Sequence, residues 1–251
     1  MNAIKRQLKA IIELTPYRVR RAQALNRFES FSDGLSLLAQ FGFSPTHIID
    51  GGANVGEFAM MAHARFPRAR VHMIEPQPAC EEPLRRLCQQ SPFSYHPYAL
   101  VAPERSGTSI AFVVTPGAVT TGAHIAAGAI GGDAAQVEVQ ARSLDDVMAA
   151  ELGPDERILL KLDLEGHELE ALKGASRVLQ STEVVLAESA FFGDPRPSNT
   201  PLQLSALLAR HGFSLFDVLA ISGRPRDRRA RQCDLLFVKD TSPVSADQSW
   251  N

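Results

Sequence analysis

The amino-acid sequence predicts an α/β fold built on a doubly wound, mostly parallel, seven-stranded sheet. Two observations support this prediction. Short apolar segments typical of strands alternate with segments of helical length, and a glycine-rich turn joins the first of these strands to its helix. Parallel strands need crossover connections, usually helices, so this alternation is typical of a sheet covered on both faces. We therefore expect a Rossmann-like architecture.

The first half of the sheet is predicted from three short apolar segments, each followed by a helix or a turn. Residues 47–50 are a buried strand that runs directly into the glycine turn. The strands in this half are predicted at residues 47–50, 70–75 and 93–98. The helices are predicted at residues 33–41, 57–65 and 79–89.

The alternation stops at residues 101–142, where we predict a hairpin insertion. Residues 109–115 and 136–142 alternate between apolar and polar side chains, as paired strands do. Residues 116–133 between them are rich in Gly and Ala and include Thr120, Thr121 and His124. A connection this long in a compact domain indicates a functional or partly disordered loop.

The second half of the sheet completes the predicted set of seven strands. Ser143 is a suitable N-cap for a short helix, and the segment at 157–163 is strongly apolar. Strands are predicted at residues 157–163, 183–188, 213–219 and 233–238. Helices are predicted at residues 143–150, 167–179 and 202–211. We therefore predict a basic helical arm at residues 1–44, the main domain at 45–240 and a flexible tail at 241–251.

Size and composition indicate one soluble α/β domain with small additions. The chain has 251 residues and a formal net charge of −2, so its overall field favours neither nucleic acid nor an anionic membrane. Its three cysteines lack zinc-site spacing and are expected to be reduced thiols. Neither a membrane-spanning apolar run nor a signal peptide is recognisable. We therefore predict a cytoplasmic protein that does not bind nucleic acid.

The N-terminal segment has a different character from the rest of the chain. Residues 1–28 contain seven Lys or Arg residues and one acid, Glu13, and apolar residues recur at helical spacing in the first dozen positions. A basic amphipathic helix of this kind can lie on the inner face of a membrane. The alternative is an arm that covers the sheet or a partner subunit, and the oligomeric state stays open.

The glycine-rich turn at residues 50–56 is the strongest local signal. Gly51 and Gly52 let the chain turn sharply and let a ligand approach the backbone, and Gly56 lets the next helix pack closely. The helix N-terminus offers free N–H groups to a carboxylate or phosphate. NAD-binding proteins share such turns, but the spacing is not G-x-G-x-x-G. We expect Asp50, just before the glycines, to meet a cation such as the α-amino group of a methionine moiety.

A second acid follows the next strand. Glu75 is placed to accept hydrogen bonds from both ribose hydroxyls of a nucleoside, although a helix cap is an alternative role. We expect adenine beyond the third strand, near Tyr98. The predicted cofactor-binding residues are Asp50, Gly51, Gly52, Ala53, Asn54, Gly56, Glu57, Glu75, Pro76, Tyr98, Ala99, Leu100 and Asp163.

These motifs resemble the FkbM family of S-adenosylmethionine-dependent O-methyltransferases. The likeness covers about residues 45–240 and is carried by residues 49–57 (IDGGANVGE), 160–168 (LKLDLEGHE) and 172–175 (LKGA). The resemblance implies a class I methyltransferase fold and S-adenosylmethionine as cofactor. It also implies transfer of a methyl group to a hydroxyl of a small molecule or sugar, in natural-product or surface-glycan tailoring. Members often carry an aromatic residue where this chain has His167.

Methyl transfer to a hydroxyl requires removal of a proton, which a carboxylate or histidine can accept. Asp163, at the end of a predicted central strand, is the first candidate for this base, and His167 and Glu188 follow it. The alternative is that Asp163 only holds loop N–H groups or a water. Asp163, Glu165 and Glu188 together are a possible magnesium site, but we predict no metal.

Two other functions stay open at the level of sequence. An NAD-dependent oxidoreductase shares the strand–glycine–helix pattern, and a non-catalytic cofactor-binding scaffold would need no base. The arginine-rich connection before the last strand is either a solvated hairpin tip or a site for an anionic acceptor. Its arginines are Arg224, Arg226, Arg228, Arg229 and Arg231.

Overall fold

The computed structural model describes most of the chain beyond the N-terminal arm. The described residues are 31–90, 92–114, 124–125, 135–153, 155–193 and 198–246. The helix predicted in the first dozen residues, the proposed membrane contact through residues 1–28 and most of the 116–133 loop lie outside them. None of the described helices is both long and apolar enough to cross a membrane.

Eleven strands are present among the described residues. They are β1 (His47–Gly51), β2 (Arg70–Ile74), β3 (Phe93–His96), β4 (Ala99–Leu100), β5 (Ser109–Val114), β6 (His124–Ile125), β7 (Ala135–Arg142), β8 (Ile158–Leu162), β9 (Thr182–Ala190), β10 (Phe213–Gly223) and β11 (Ala230–Lys239). Seven of them form one sheet in the order β3-β2-β1-β8-β9-β11-β10. Strands β1, β2, β3, β8 and β9 are parallel, and β11 is antiparallel to both of its neighbours. The predicted doubly wound, mostly parallel sheet is confirmed.

Helices cover both faces of this sheet. They are α1 (Phe31–Gln40), α2 (Glu57–Arg65), α3 (Pro78–Leu87), α4 (Leu144–Val147), α5 (Glu168–Lys173), α6 (Val178–Ser181) and α7 (Pro201–Ala209). Adjacent residues of a strand point to opposite faces. Leu159 therefore packs in a core with α1, α2 and α3, whereas Leu160 packs in a second core with α5, α6 and α7. Burial on both sides explains why the central strands are almost continuously apolar.

The single helix predicted at residues 167–179 is wrong, because the chain forms α5 and α6 with a break at Gly174. A Cβ atom on Gly174 would lie 2.4 Å from the carbonyl oxygen of Val101, so the chain passes too close there for any side chain. The Asp145 carboxylate then accepts hydrogen bonds from the backbone N–H groups of Arg177 and Val178, which starts α6. This contact spans more than thirty residues of sequence, so local periodicity does not reveal it.

The predicted hairpin insertion is confirmed as a small second sheet. Strands β5 and β7 pair antiparallel, with Ile110 opposite Val139, and the order of this sheet is β4-β7-β5-β6. Its inward side chains form a third core that includes Phe112 and Ile125. The sequence did not predict β6 inside the loop.

The end of the chain differs from the predicted tail. Residues Pro243–Ser245 form a short 3₁₀ helix, and Val244 is buried against the core of the α1 face. The Ser242 hydroxyl donates a hydrogen bond to the Glu183 carboxylate at 2.6 Å. Residues 241–246 are therefore packed onto the domain, and residues 247–251 lie outside the described ranges.

Candidate active site

The two sequence motifs meet at the carboxyl end of the central strands. Gly52 has φ +74°, and a Cβ atom there would lie 1.9 Å from the backbone oxygen of Asp163. Only glycine satisfies both the left-handed backbone and this close approach. The backbone N–H of Asp163 also donates to the oxygen of Gly51 at 3.1 Å. The glycine turn therefore packs directly against the second motif, residues 160–168, at Asp163.

Asp50 lies beneath this turn and not in an open cleft. Its side chain is fully buried, and its Oδ1 atom is 3.0 Å from Nζ of Lys161, its neighbour in the sheet register. Lys161 Nζ also donates to the oxygen of Gly52 at 2.9 Å and lies 3.7 Å from Oδ2 of Asp163. Burial works against the charge on Lys161, but attraction from Asp50 and Asp163 keeps the pKa of its ammonium above the ordinary value. The sequence predicts a direct contact between Asp50 and a ligand, but in the structure the partner of Asp50 is Lys161.

Glu75 is positioned where the sequence predicts it. Its carboxylate accepts hydrogen bonds from the backbone N–H groups of Asn54 and Gln77, each at 3.0 Å, and the residue is 4% exposed. Burial raises the pKa of Glu75, against the two backbone N–H groups, which favour its ionised form. These two bonds fix the carboxylate and join β2 to the glycine turn. Both expected roles, local cap and cleft-facing acid, are therefore compatible with its position.

An open cleft of about 650 Å³, the first cleft, runs from the glycine turn past Glu75. Of the predicted cofactor-binding residues, it is lined by Gly52, Asn54, Glu75, Pro76, Tyr98, Ala99, Leu100 and Asp163. Sequence reasoning missed Phe112 and Ile125, which the insertion sheet brings to this cleft. The sequence signal for Phe112 is the apolar alternation of residues 109–115, which does not say where that sheet docks, whereas Ile125 lies outside the alternating segments.

A second cleft of about 860 Å³ opens on the α1 and α2 side of the same turn. Its apolar wall consists of Phe31, Phe58 and Met61, and predicted residues Ala53 and Glu57 also line it. It shares Gly52, Asn54 and Asp163 with the first cleft. The remaining predicted residues, Gly51 and Gly56, line neither cleft among the described residues, but both allow close packing of the turn against the core. A Cβ atom on Gly56 would lie 2.4 Å from Leu87. The two clefts therefore meet at one carboxylate.

The three candidate bases have different surroundings. Asp163 stands at the junction of the clefts with its side chain 43% exposed. His167 lines the first cleft at the residue before α5. Glu188 is in β9, opposite Asp234 of β11, and accepts a hydrogen bond from Gln232. Glu188 is not among the described residues that line either cleft.

Burial and repulsion from Asp163 raise the pKa of Glu188 to about 9. Glu188 is therefore protonated at neutral pH and is poorly suited to accept a proton there, contrary to its expected role as a base. Burial likewise raises the pKa of Asp234 to about 7. Among the residues that the structure describes, no group of three His, Cys, Asp or Glu side chains is arranged to hold a metal ion.

Because the pKa of Glu188 is raised in the folded protein, we expect the free energy of unfolding to fall as the pH rises. The unfolded chain loses this proton near pH 4.5 and the folded protein near pH 9, so the stabilisation from the bound proton is complete below 4.5 and lost between 4.5 and 9. We expect Glu188→Gln to raise the melting temperature at pH 8 by about 2–4 °C and to flatten its pH dependence. Circular dichroism melts from pH 5 to 9 test this. The exposed Glu104→Gln serves as control, and an unchanged slope in Glu188→Gln would contradict the expectation.

The comparison with known proteins decides the family. The sequence matches the family described as "Methyltransferase FkbM domain" over residues 50–215, which is more than half of the chain. The matched region begins at Asp50 and contains both motifs of the site. The chain belongs to the FkbM methyltransferase family. The family resemblance in the motifs is thereby confirmed, and methyl transfer is the reaction class.

One relative of this FkbM methyltransferase is the methyltransferase sdnD of Sordaria araneosa. The two sequences are 30% identical over 220 residues, which cover 74% of this chain and 80% of the relative. A crystal structure of an FkbM methyltransferase from Methylobacillus flagellatus is 20% identical with a TM-score of 0.48; the match covers 77% of this chain and 44% of that one. The magnesium protoporphyrin IX methyltransferase of Synechocystis, solved with S-adenosylmethionine, is 13% identical with a TM-score of 0.44, over 95% and 100% of the two chains.

The topology of this family member is that of a class I methyltransferase. The strands of the main sheet follow the order 3-2-1-4-5-7-6 when they are counted within that sheet, and the seventh is antiparallel to its neighbours. The order reverses between β1 and β8, whose carboxyl ends carry the glycine turn and Asp163. Ligands of doubly wound sheets bind at such a switch point. Both clefts open there.

Proposed function

We propose that this FkbM methyltransferase uses S-adenosylmethionine and methylates a hydroxyl of a small molecule or sugar. The observation that carries the proposal is the Glu75 carboxylate, which two backbone N–H groups hold at the first cleft beside the glycine turn. A carboxylate at this point of a doubly wound sheet suits the paired hydroxyls of a ribose.

The residues around Glu75 fit the rest of an adenosyl amino acid. Leu100, Phe112 and Ile125 give the first cleft apolar walls, which suit an adenine ring. In the glycine turn, Gly52 leaves the backbone bare where a Cβ atom would collide with Asp163. The amino-acid end would therefore lie along the turn, toward the junction with the second cleft.

Asp163 is the group that we assign to the acceptor. When bound, S-adenosylmethionine supplies an activated methyl group on a sulfonium. The acceptor hydroxyl would enter from the second cleft, with its apolar part against Phe58 and Met61. Asp163 would orient that hydroxyl and take its proton as the oxygen is methylated. The ammonium of Lys161 lies 3.7 Å from Asp163 Oδ2 and helps to orient this carboxylate.

The proposal predicts that Glu75→Ala weakens S-adenosylhomocysteine binding by about 100-fold or more. The variant removes two charge-assisted hydrogen bonds to ribose, each worth roughly 1.5–3 kcal/mol, and also frees the N–H groups of Asn54 and Gln77. Isothermal titration calorimetry measures the affinity directly.

The control is Glu104→Ala, which removes an exposed acid outside both clefts. The same titrations with NAD test the oxidoreductase alternative. Tight binding of NAD, with none of S-adenosylhomocysteine, would overturn the proposed cofactor. Turnover with a panel of hydroxylated acceptors then distinguishes an enzyme from a binding scaffold.

A further inference from the structure

The turn between β10 and β11 carries a concentrated positive charge at the edge of the sheet where the clefts open. Strand β10 runs in the same direction as β9, so its last residue, Gly223, lies at the carboxyl edge. Residues 224–231 contain five arginines and one acid, Asp227, in a chain whose net charge is −2. We call residues 224–231 the arginine turn.

One carboxylate organises the arginine turn but does not neutralise it. Asp227 accepts a hydrogen bond from Nε of Arg224 at 2.6 Å, contacts Nη2 of the same guanidinium and lies 3.8 Å from Nε of Arg226. The backbone N–H of Arg229 also donates to Asp227. Among the described residues, Arg228, Arg229 and Arg231 have no carboxylate within salt-bridge distance.

Phe192 contacts two of these guanidinium groups. The guanidinium carbons of Arg224 and Arg229 lie 5.1 and 4.4 Å from the centre of this one ring. Stacking on an aromatic ring fixes each group. Asp227, which pairs with Arg224, supplies one negative charge against these two guanidinium groups, so the pair keeps a net positive charge. A solvated hairpin tip would leave long arginine side chains apart. Here they are gathered onto one ring.

From this arrangement we infer that the arginine turn binds a phosphate or diphosphate group carried by the methyl acceptor. Planar guanidinium groups match phosphate oxygens in pairs, and the fixed ring reduces the entropy lost on binding. The link to the acceptor rests on the proposed function, whereas the anion site does not depend on it.

The position of the turn limits the shape of such an acceptor. Asp163 follows β8, whereas the arginine turn joins β10 to β11, which lie three and two strands away from β8 in the sheet. Neighbouring strands are about 4.8 Å apart, so the turn lies on the order of 10 Å from Asp163 across the sheet. The anionic group of the acceptor would therefore be well separated from the hydroxyl at Asp163. A sugar joined to a diphosphate has this elongated character, with its charge at one end.

Calorimetry with inorganic pyrophosphate, on the full chain saturated with S-adenosylhomocysteine, tests the inference. We expect binding, and we expect Arg226→Gln/Arg229→Gln to weaken it at least about tenfold. Phe192→Leu keeps all the charges and should weaken it several-fold, because the platform for the arginines is lost. The matched control is Arg65→Gln/Arg68→Gln, which removes the same charge from exposed positions in and beyond the last turn of α2.

Each outcome supports or overturns the site. Absence of pyrophosphate binding, or equal weakening in the control variant, would overturn it. Sedimentation with phosphatidylglycerol vesicles separates a lipid headgroup from a soluble phosphate: vesicle binding that needs the arginine turn, without pyrophosphate binding, would overturn the acceptor assignment. S-adenosylhomocysteine affinity is measured in parallel. If the parent protein does not bind S-adenosylhomocysteine, the result counts against the proposed function. If it binds S-adenosylhomocysteine but not pyrophosphate, the result counts only against this inference.

Discussion

Asp163→Asn is expected to lower kcat by roughly 100- to 10,000-fold, the usual contribution of a positioned base, while S-adenosylhomocysteine affinity changes little. The asparagine side chain keeps the size of the original and still fills the junction of the two clefts, but it cannot accept a proton. Because the backbone oxygen of Asp163, not its side chain, is the atom that approaches Gly52, the glycine turn should stay in place. Initial rates and calorimetry on the same preparation measure the two effects.

Glu165→Gln is the matched control for this experiment. Glu165 lies two residues further along the same loop, lines the first cleft and is exposed. We expect its turnover to stay near that of the parent protein. Full activity in Asp163→Asn would remove Asp163 as the base and would direct attention to His167, the other candidate that lines the first cleft.

Local sequence patterns predicted the parts of this fold that depend on local rules. The strand periodicity gave the seven strands of the sheet, and the absence of a side chain at Gly52 marked the turn. Glu75 was found because strand order in a parallel sheet places its acid beside that turn. The glycine turn and Glu75 lie within one strand–helix–strand unit, so their spacing is visible in the sequence.

The sequence did not predict features set by contacts between distant segments. The pairing of Asp50 with Lys161 joins residues more than a hundred positions apart, so an acid expected to face a ligand is buried with a lysine. Phe112 and Ile125 reach the first cleft only because the insertion sheet docks there. Glu188 carries the right functional group for a base, but burial changes its protonation. Burial and docking are properties of the folded chain, and residue type alone does not give them.

Lys161→Met is expected to destabilise the protein by about 3–5 kcal/mol, because it leaves the fully buried Asp50 carboxylate without its partner. For a chain of this size, that loss corresponds to a fall in melting temperature of about 10 °C or more. The oxygen of Gly52 also loses the donor that holds it at 2.9 Å, so the glycine turn should loosen. Urea unfolding followed by circular dichroism measures the free energy of unfolding.

The double variant Asp50→Asn/Lys161→Met separates the charge from the shape of this pair. With both charges removed, no uncompensated ion stays buried, so we expect at least half of the lost stability to return. S-adenosylhomocysteine affinity should remain below that of the parent, because the Gly52 oxygen still lacks its donor. If the double variant were as unstable as Lys161→Met, the cost would come from the lost contacts of the Lys161 ammonium with the Phe58 ring and the Gly52 oxygen, and not from the unpaired charge of Asp50. Asp50 would then have no electrostatic part in the site.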